Sequence, residues 1–321
     1  MNELPAIEVL AAGVNVVDVF VRVPEQISHG EKHEVREVIV QGGGPAATAA
    51  CVLACLGWRT GFITRIGDNP FSVIARDDLR RYGVLNEFFI PDAAASPVVA
   101  IVQADPRTGD RTIFYTRKDY HILEAADVPV EIVQLCKLVL VDDYEPEAAI
   151  VMLDAASKAG HRSVLDLEIG DGDKTDKLLA LSTDCILPLI TARALTGEET
   201  PEAALRRLVQ RTSAQLIVTD GPRGSWAFTA EGILHQPAIS VDAVDTTGCG
   251  DAFHGAYAAA LLDGLPLRFC MEFAAWVAAQ VALKLGGRTN LPTRDSIRKS
   301  DLSMLSPELR AHFLRSSSKI D

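Results

Sequence analysis

The chain has 321 residues, 48% of them hydrophobic and 23% charged, with 43 acidic against 31 basic side chains and a formal net charge of -12. This describes a globular protein able to bury a large core, as one α/β unit with a small appendage or as two domains. The acidic surplus argues against a nucleic-acid or anionic-membrane partner, which basic patches would have to attract, yet a local cluster can still bind a small anion.

Met1 to Pro5 carry no basic run and no signal-like apolar region, and nowhere do about 18 apolar residues follow one another, so a cytoplasmic protein is expected. The cysteines at 51, 55, 136, 185, 249 and 270 are scattered and read as free thiols, not as a disulfide or zinc framework.

In chain order, Glu8 to Ala12, ending at Gly13, reads as a first core strand. Val16 to Val23 and Glu34 to Val40 read as a hairpin around His29-Gly30-Glu31. Pro45 to Leu56 is an Ala-rich helix, with Pro near its start and Gly57 just past its end. A strand Phe62 to Ile66 and a helix Phe71 to Tyr82, stopped by Gly83, follow. Val98 to Gln103 and Arg111 to Thr116 form a second hairpin across the turn formers 105 to 110, and the two hairpins together are expected to make a small β appendage.

From Leu138 the pattern is strand Leu138 to Val141, helix Glu147 to Ala159, strands Ser163 to Leu167 and Cys185 to Leu189, helix Glu202 to Arg211, and strand Leu216 to Thr219. Apolar strands alternating with helices imply a mainly parallel sheet covered on both faces. A hairpin, Ser225 to Thr229 with Ile233 to Gln236, precedes two apolar helices, Ala252 to Leu262 and Pro266 to Leu285, and then a polar helical tail.

The stretch from Val244 to Gly255 is where the chemistry is expected. It runs from a strand through the turn formers Asp245, Thr246 and Thr247 into a small-residue helix. The first amides of such a helix lack intrahelical partners and face an anion at the positive end of the dipole. Gly248 and Gly250 let bare backbone approach a phosphoryl oxygen, and Asp251 stands on the first turn, where it could accept a proton from an attacking hydroxyl. Taken alone, the same four residues read better as a capped helix after a glycine turn, with Asp251 as a dipole partner.

Asp245-Thr246-Thr247-Gly248-Cys249-Gly250-Asp251 followed by Ala-Phe-His-Gly-Ala resembles the second fingerprint of the ribokinase-like (PfkB-type) carbohydrate kinases, with Cys249 where they usually carry Ala. Gly42-Gly43-Gly44-Pro45-Ala46-Ala47-Thr48-Ala49-Ala50, with Leu56-Gly57 and Arg65-Ile66-Gly67-Asp68, resembles the first. The resemblance covers nearly the whole chain. It implies an α/β three-layer sandwich with a mainly parallel central sheet, one domain over 1–321, and a β-sheet lid from about 15–40 and 96–117 that often pairs with a second subunit's lid.

It further implies ATP and Mg2+, with a monovalent cation also possible, and assigns roles to individual residues. Asp251 becomes the base, and Gly248, Cys249 and Gly250 the cradle for developing charge. Asp18, Gly43, Gly44 and Thr48 become sugar contacts, although most relatives carry Asn at Thr48. Thr219, Gly221, Gly224, Thr246 and Gly248 face the nucleotide. The family's Asn-x-x-Glu metal pattern falls on Pro188-Leu189-Ile190-Thr191, so Asp166 and Glu168 are the substitutes considered for the metal, with solvated surface acids as the alternative. His254 is expected to pack or bond within its helix.

Arg117 and Lys118 follow a lid strand and could reach an anionic group on the sugar. The segment Arg111 to Arg117 is similar to 2-keto-3-deoxygluconate kinases. The uninterrupted Gly42 to Ala50 run, Phe253-His254-Gly255-Ala256 and Gly286-Gly287-Arg288 look more like sulfofructose kinases. The turn Asp142-Asp143-Tyr144, however, lacks the Arg expected to grip a sulfonate. The expected acceptor is therefore a ketose or keto-acid sugar with an anionic group. A nucleoside kinase, a non-catalytic sugar-binding regulator and a nicotinamide-dependent oxidoreductase remain as alternatives. No P-loop, dinucleotide or nucleophile-elbow motif is present.

Overall fold

The computed structural model describes residues 7–24, 28, 30–104, 111–170 and 172–315; His29 and the turn formers 105–110 lie outside the described residues. The strands are β1 Val9–Ala12, β2 Val16–Arg22, β3 Val38–Gly43, β4 Thr60–Ile66, β5 Phe89–Pro91, β6 Val98–Ala104, β7 Arg111–Thr116, β8 Leu138–Asp142, β9 Arg162–Asp166, β10 Asp184–Pro188, β11 Gln215–Thr219, β12 Ser225–Thr229 and β13 Gly232–Gln236. The helices are α1 Pro45–Cys55, α2 Pro70–Arg81, α3 Val130–Val133, α4 Pro146–Ala159, α5 Gly172–Leu181, α6 Leu189–Thr196, α7 Pro201–Leu208, α8 Cys249–Leu262, α9 Leu267–Ala282, α10 Arg294–Lys299 and α11 Pro307–Arg315.

The large sheet runs β13-β12-β11-β10-β9-β8-β1-β4-β5, parallel from β11 through β5 with the β12–β13 hairpin antiparallel at one edge. Its strands are apolar on both faces because both are covered. On β1, Val9 and Ala11 join the core formed with α1, α8 and α9, while Leu10 and Ala12 join the core formed with α4 and α7. Three layers follow directly. In a parallel sheet all strand C-termini open on one side, so the ends of β1, β8, β9 and β11 face the same cleft.

The second sheet, β3-β2-β6-β7, unites the two expected hairpins: β2 pairs antiparallel with β3, β6 antiparallel with β7, and β2 parallel with β6. Alternation along this register sorts the side chains by face. Asp18, Phe20, Val102, Arg111 and Tyr115 share one face; Phe20 and Val102 there pack on Leu285 and Val244, so this face looks into the cleft. Val19, Val38, Val40, Ile101 and Phe114 share the other.

Several elements differ from expectation. β3 begins at Val38, not Glu34, and continues through Gly43, because pairing with Val16 and Val17 carries the ladder into the glycines. The helix α5 lies where two strands were expected to follow one another directly, α6 follows the second of them, and α6, β5 and α3 were not anticipated. Cys249, not Ala252, begins α8, and α9 stops at Ala282.

Candidate active site

Two glycine turns shape the cleft. Gly44 precedes α1 with φ 95, and a Cβ there would come within 2.1 Å of Val14 O, so no other residue fits. Gly43 is equally confined, since its Cβ would lie 2.0 Å from Asp18 Oδ2, and the Asp18 carboxylate therefore lies against bare backbone. Burial pushes Asp18 up to about 7; Arg288 opposes this, while Asp251, Asp245 and Asp78 add to it.

The start of α8 is a second cradle. Gly248 holds φ 76, and its Cβ would fall 2.6 Å from Gly287 Cα, whereas a Cβ on Gly250 would meet nothing within 4 Å. Packing thus explains Gly248, and Gly250 presents its backbone to open space. The Cys249 amide bonds back to Thr246 O at 3.3 Å and that of Ala252 to Gly248 O at 2.8 Å. Among the described residues the fold supplies no such backbone acceptor to Gly248, Gly250 or Asp251, although the Asp251 amide turns toward its own carboxylate, so of the expected cradle Gly248 and Gly250 keep their amides free while that of Cys249 is bonded back.

Asp245, fully buried, accepts from Thr247 N at 2.9 Å and Thr247 Oγ1 at 2.7 Å on one oxygen and from Gly286 N at 2.8 Å on the other, fixing the approach to the helix. Burial pushes the Cys249 thiol up to about 12, with Asp245 and Asp251 adding to it. Desolvation outweighs the pull of the helix terminus on that thiol, and Cys249 packs on the core.

Asp251 meets Asp166 and Glu168: one carboxylate oxygen from each lies within 4.8 Å of the others. Burial and mutual repulsion raise Asp166 well above the carboxylate range and Glu168 to about 7, and burial raises Asp251. Asp166 is 1% exposed, which excludes a solvated surface acid, and neither of its oxygens accepts a hydrogen bond. His254 Nε2 stands 3.2 Å from it, but its Nδ1 lies 2.7 Å from Gly250 O within the helix, and burial depresses this imidazole to about 4, leaving it neutral. Unpartnered buried carboxylate oxygens beside two further carboxylates are a donor set that fits Mg2+. Asp166 and Glu168 would hold the ion.

The loop carrying Glu168 is fastened from three sides. Asp143 accepts from the amides of Glu168, Ile169 and Gly170 at 3.1, 2.9 and 2.9 Å. Tyr144 donates to Glu168 Oε2 at 2.9 Å, and Thr191 donates to Glu168 O at 2.5 Å. Thr191 occupies the end of the expected Asn-x-x-Glu position, and in this chain it secures the loop that brings the carboxylate.

The structure places the other expected residues as follows. Thr48 is 2% exposed, and its hydroxyl accepts from Arg288 Nε at 3.0 Å; it lies beneath the glycine floor, where the hydroxyl is already engaged. Thr219 ends β11, with Gly221 and Gly224 at positive φ in the turn beyond it, and a Cβ on Gly224 would strike Gln236 O. Thr246 is exposed, Lys118 is exposed, and Arg117 lies 5.9 Å from the Tyr115 ring and 5.6 Å from that of Tyr144. Residue-level reading missed Arg111: from the cleft face of β7 its Nη1 reaches Thr246 Oγ1 at 3.2 Å, and its charge opposes the upward shifts of Asp251 and Glu168. Only strand alternation, counted from Asp18 across the lid, could have found it.

Cleft, helix start and carboxylates define a phosphoryl-transfer class of α/β protein. Residues 9–294 match the model of the pfkB family carbohydrate kinases. A fructokinase from Klebsiella pneumoniae is 30% identical over 284 residues, covering 80% of this chain and 91% of the relative. A 2-dehydro-3-deoxygluconokinase from Bacillus subtilis is 25% identical over 304 residues, covering 88% and 92%. A ribokinase from Arabidopsis thaliana, solved with ribose and ATP, superposes with a TM-score of 0.77 at 25% identity, covering 92% of this chain and 98% of its own. The chain belongs to the PfkB family of carbohydrate kinases and has the ribokinase-like fold.

Asp18 gives a first expectation. Its folded value of about 7 lies above the ordinary 3.8, so the folded chain binds its proton more tightly than the unfolded chain does. That group therefore costs stability fully above pH 7, and the cost disappears as pH falls toward 4. Asp18→Asn is expected to stabilise by about 2 kcal/mol at pH 8 and by little at pH 4.5, read by urea denaturation; a gain that grows on acidification would contradict the burial account.

Proposed function

We propose that this carbohydrate kinase transfers the γ-phosphoryl group of ATP to the primary hydroxyl of a ketose or keto-acid sugar bearing an anionic group. The observation that carries the transfer is Asp251 on the first turn of α8, beside a bare Gly250 backbone facing open space and next to two further carboxylates. The sugar oxygen attacks the γ-phosphorus as its proton passes to Asp251, a P–O bond forms, the bond to the β-phosphate oxygen breaks, and ADP leaves. Burial makes Asp251 a stronger base than a solvated carboxylate. The free amides at the α8 start oppose the developing negative charge, and Arg111 brings a cation from the lid to the same loop. Bound Mg2+ would neutralise phosphate charge at Asp166 and Glu168. ATP as donor is supported by the neighbour solved with ribose and ATP, and it suits a cytoplasmic setting; no described helix is long and apolar enough to cross a membrane.

Asp18 and the Gly43–Gly44 backbone are the proposed sugar floor, and Thr219, Gly221, Gly224, Thr246 and Gly248 the nucleotide side. Asp251→Asn should lower kcat roughly 10³-fold with KM for ATP nearly unchanged, in an ADP-coupled assay across free, phosphorylated, sulfonated and carboxylated sugars and nucleosides. Retention of wild-type turnover would remove Asp251 from the chemistry.

The anionic preference rests on Arg117. Its guanidinium lies near Tyr115 and Tyr144, and among the described residues no carboxylate pairs with it. The Asp142–Tyr144 turn supplies an aromatic face where an Arg had been expected, and the lid supplies the cation. Arg117→Ala should raise KM roughly ten- to hundredfold for an anionic sugar and hardly at all for a neutral one. Equal effects on both would reject the anionic reading.

We further propose a homodimer through the lid. Its outer face exposes Val38 at 53%, Val40 at 48%, Ile101 at 46% and Phe114 at 56%, an apolar set that a second copy would cover. Sedimentation at micromolar concentration should give a dimer, shifted toward monomer by Phe114→Glu; a monomeric wild-type chain would dispose of this assembly.

A further inference from the structure

Arg288 belongs to none of the groups that touch substrate in the reading above, yet it is one of the largest fully buried side chains of the molecule. Its guanidinium is saturated in three directions. Nε donates to Thr48 Oγ1 at 3.0 Å, Nη1 to Asp78 Oδ2 at 2.9 Å, and Nη2 to Gly43 O at 2.8 Å. Asp78 Oδ2 also accepts from Gly42 N at 3.0 Å, so Gly42 and the floor glycine Gly43 that follows it are both tied to this one ion pair. Nothing larger than glycine fits above it, because a Cβ on Gly42 would come within 2.4 Å of Nη1.

The backbone that carries Arg288 is fastened to the other cradle. Gly286 N bonds Asp245, and Gly287 lies against Gly248 at the start of α8. With its amide oriented to satisfy both neighbours, Gln41 accepts from Gly287 N at 2.7 Å and Arg288 N at 3.2 Å, and Tyr82 donates to Arg288 O at 2.6 Å. The chain at 286–288 is therefore held by the phosphoryl cradle on one side, while its arginine grips the sugar floor on the other.

A buried ion pair contributes little net stability compared with apolar packing. Its value here is geometric. We propose that Arg288 is a positioning residue that, by holding Gly42 and Gly43, fixes the separation between the Gly43–Gly44 floor and the α8 start at Gly248–Asp251. Transfer to a hydroxyl needs that separation held to a fraction of an ångström, and a displacement of about 1 Å can cost about 10²-fold in rate. Water, small and freely placed, is far less sensitive to it.

This inference rests on the phosphotransfer reading, and the experiment separates the two. Sugar phosphorylation and sugar-independent ATP hydrolysis are measured for the wild type, Arg288→Lys, Arg288→Ala with and without added guanidinium, and Asp78→Asn, each with thermal melting. Arg288→Lys is expected to lower kcat for transfer roughly 10²-fold with KM for ATP unchanged, and to raise the ratio of hydrolysis to transfer. Asp78→Asn should move that ratio in the same direction by less, and it decides the matter if the Arg288 variants do not fold. Guanidinium, but not methylammonium, should restore part of the transfer in Arg288→Ala. A folded Arg288→Lys or Asp78→Asn enzyme with wild-type kcat, or losses that merely follow the folded fraction with the hydrolysis ratio constant, would overturn the proposal. A wild type that phosphorylates no sugar removes the reading and the proposal together.

Discussion

Three carboxylates brought within 4.8 Å of one another repel, and among the described residues no Lys or Arg forms an ion pair with them, Arg111 only opposing the shifts of Asp251 and Glu168. Much of the polar architecture around the cleft holds them there in spite of that repulsion. Asp143 gathers the three amides behind Glu168, Tyr144 and Thr191 take its side chain and carbonyl, and helix α8 carries Asp251 in from the opposite layer. Each of these is a short-range contact between groups distant in sequence, so the site exists only when the sheet has closed. Burial raises all three carboxylates, the charges of neighbouring acids add to it at Asp166 and Glu168, and a divalent cation bound among them would lower them again.

The sheet makes that juxtaposition possible. Because β1, β8, β9, β10 and β11 run parallel, their last residues arrive on one rim, where Asp142 pairs with Asp166 and Thr219 follows two strands further along although the chain separates them widely. Asp142 shows how the rim is used for scaffolding as well as for chemistry: fully buried at the end of β8, it accepts from the amides of Val14, Ala46 and Tyr144 and so ties β1, α1 and the β8 turn together. Gly13 leaves it room, since a Cβ there would strike the carboxylate at 2.0 Å.

Two kinds of residue were legible from sequence. Glycines and the acid next to them announce themselves locally, since Gly44 and Gly248 need φ values that other residues avoid, and Asp251 follows a turn directly. Alternating apolar runs gave the strands and the lid hairpins for the same local reason. What stayed hidden depends on approach through space. Arg111 and Arg288 look like ordinary surface cations in a polar context until β7 is registered against β6 and the 286–288 segment is folded onto Gly248. Thr48 sits on the helix face expected for a sugar contact, but only the incoming Arg288 shows that its hydroxyl is occupied. Helices α5 and α6 were overlooked because each is short, and α5 begins with the polar stretch Gly172 to Lys177, so neither shows a long apolar stripe.

Net charge and site charge point in opposite directions. An acidic chain repels anions at long range, but that field is screened beyond about 8 Å at physiological ionic strength. Inside the cleft the balance is set by a few groups at contact distance, with Arg111 and Arg117 on the lid above and carboxylates below. The cations lie on the lid side of the cleft and the acids on the sheet and α8 side, so a ligand between them meets both signs of charge. Arg111 already reaches Thr246 and opposes the upward shift of Asp251, so the lid strand brings its cation to the α8 start as part of the same fold that places the carboxylates.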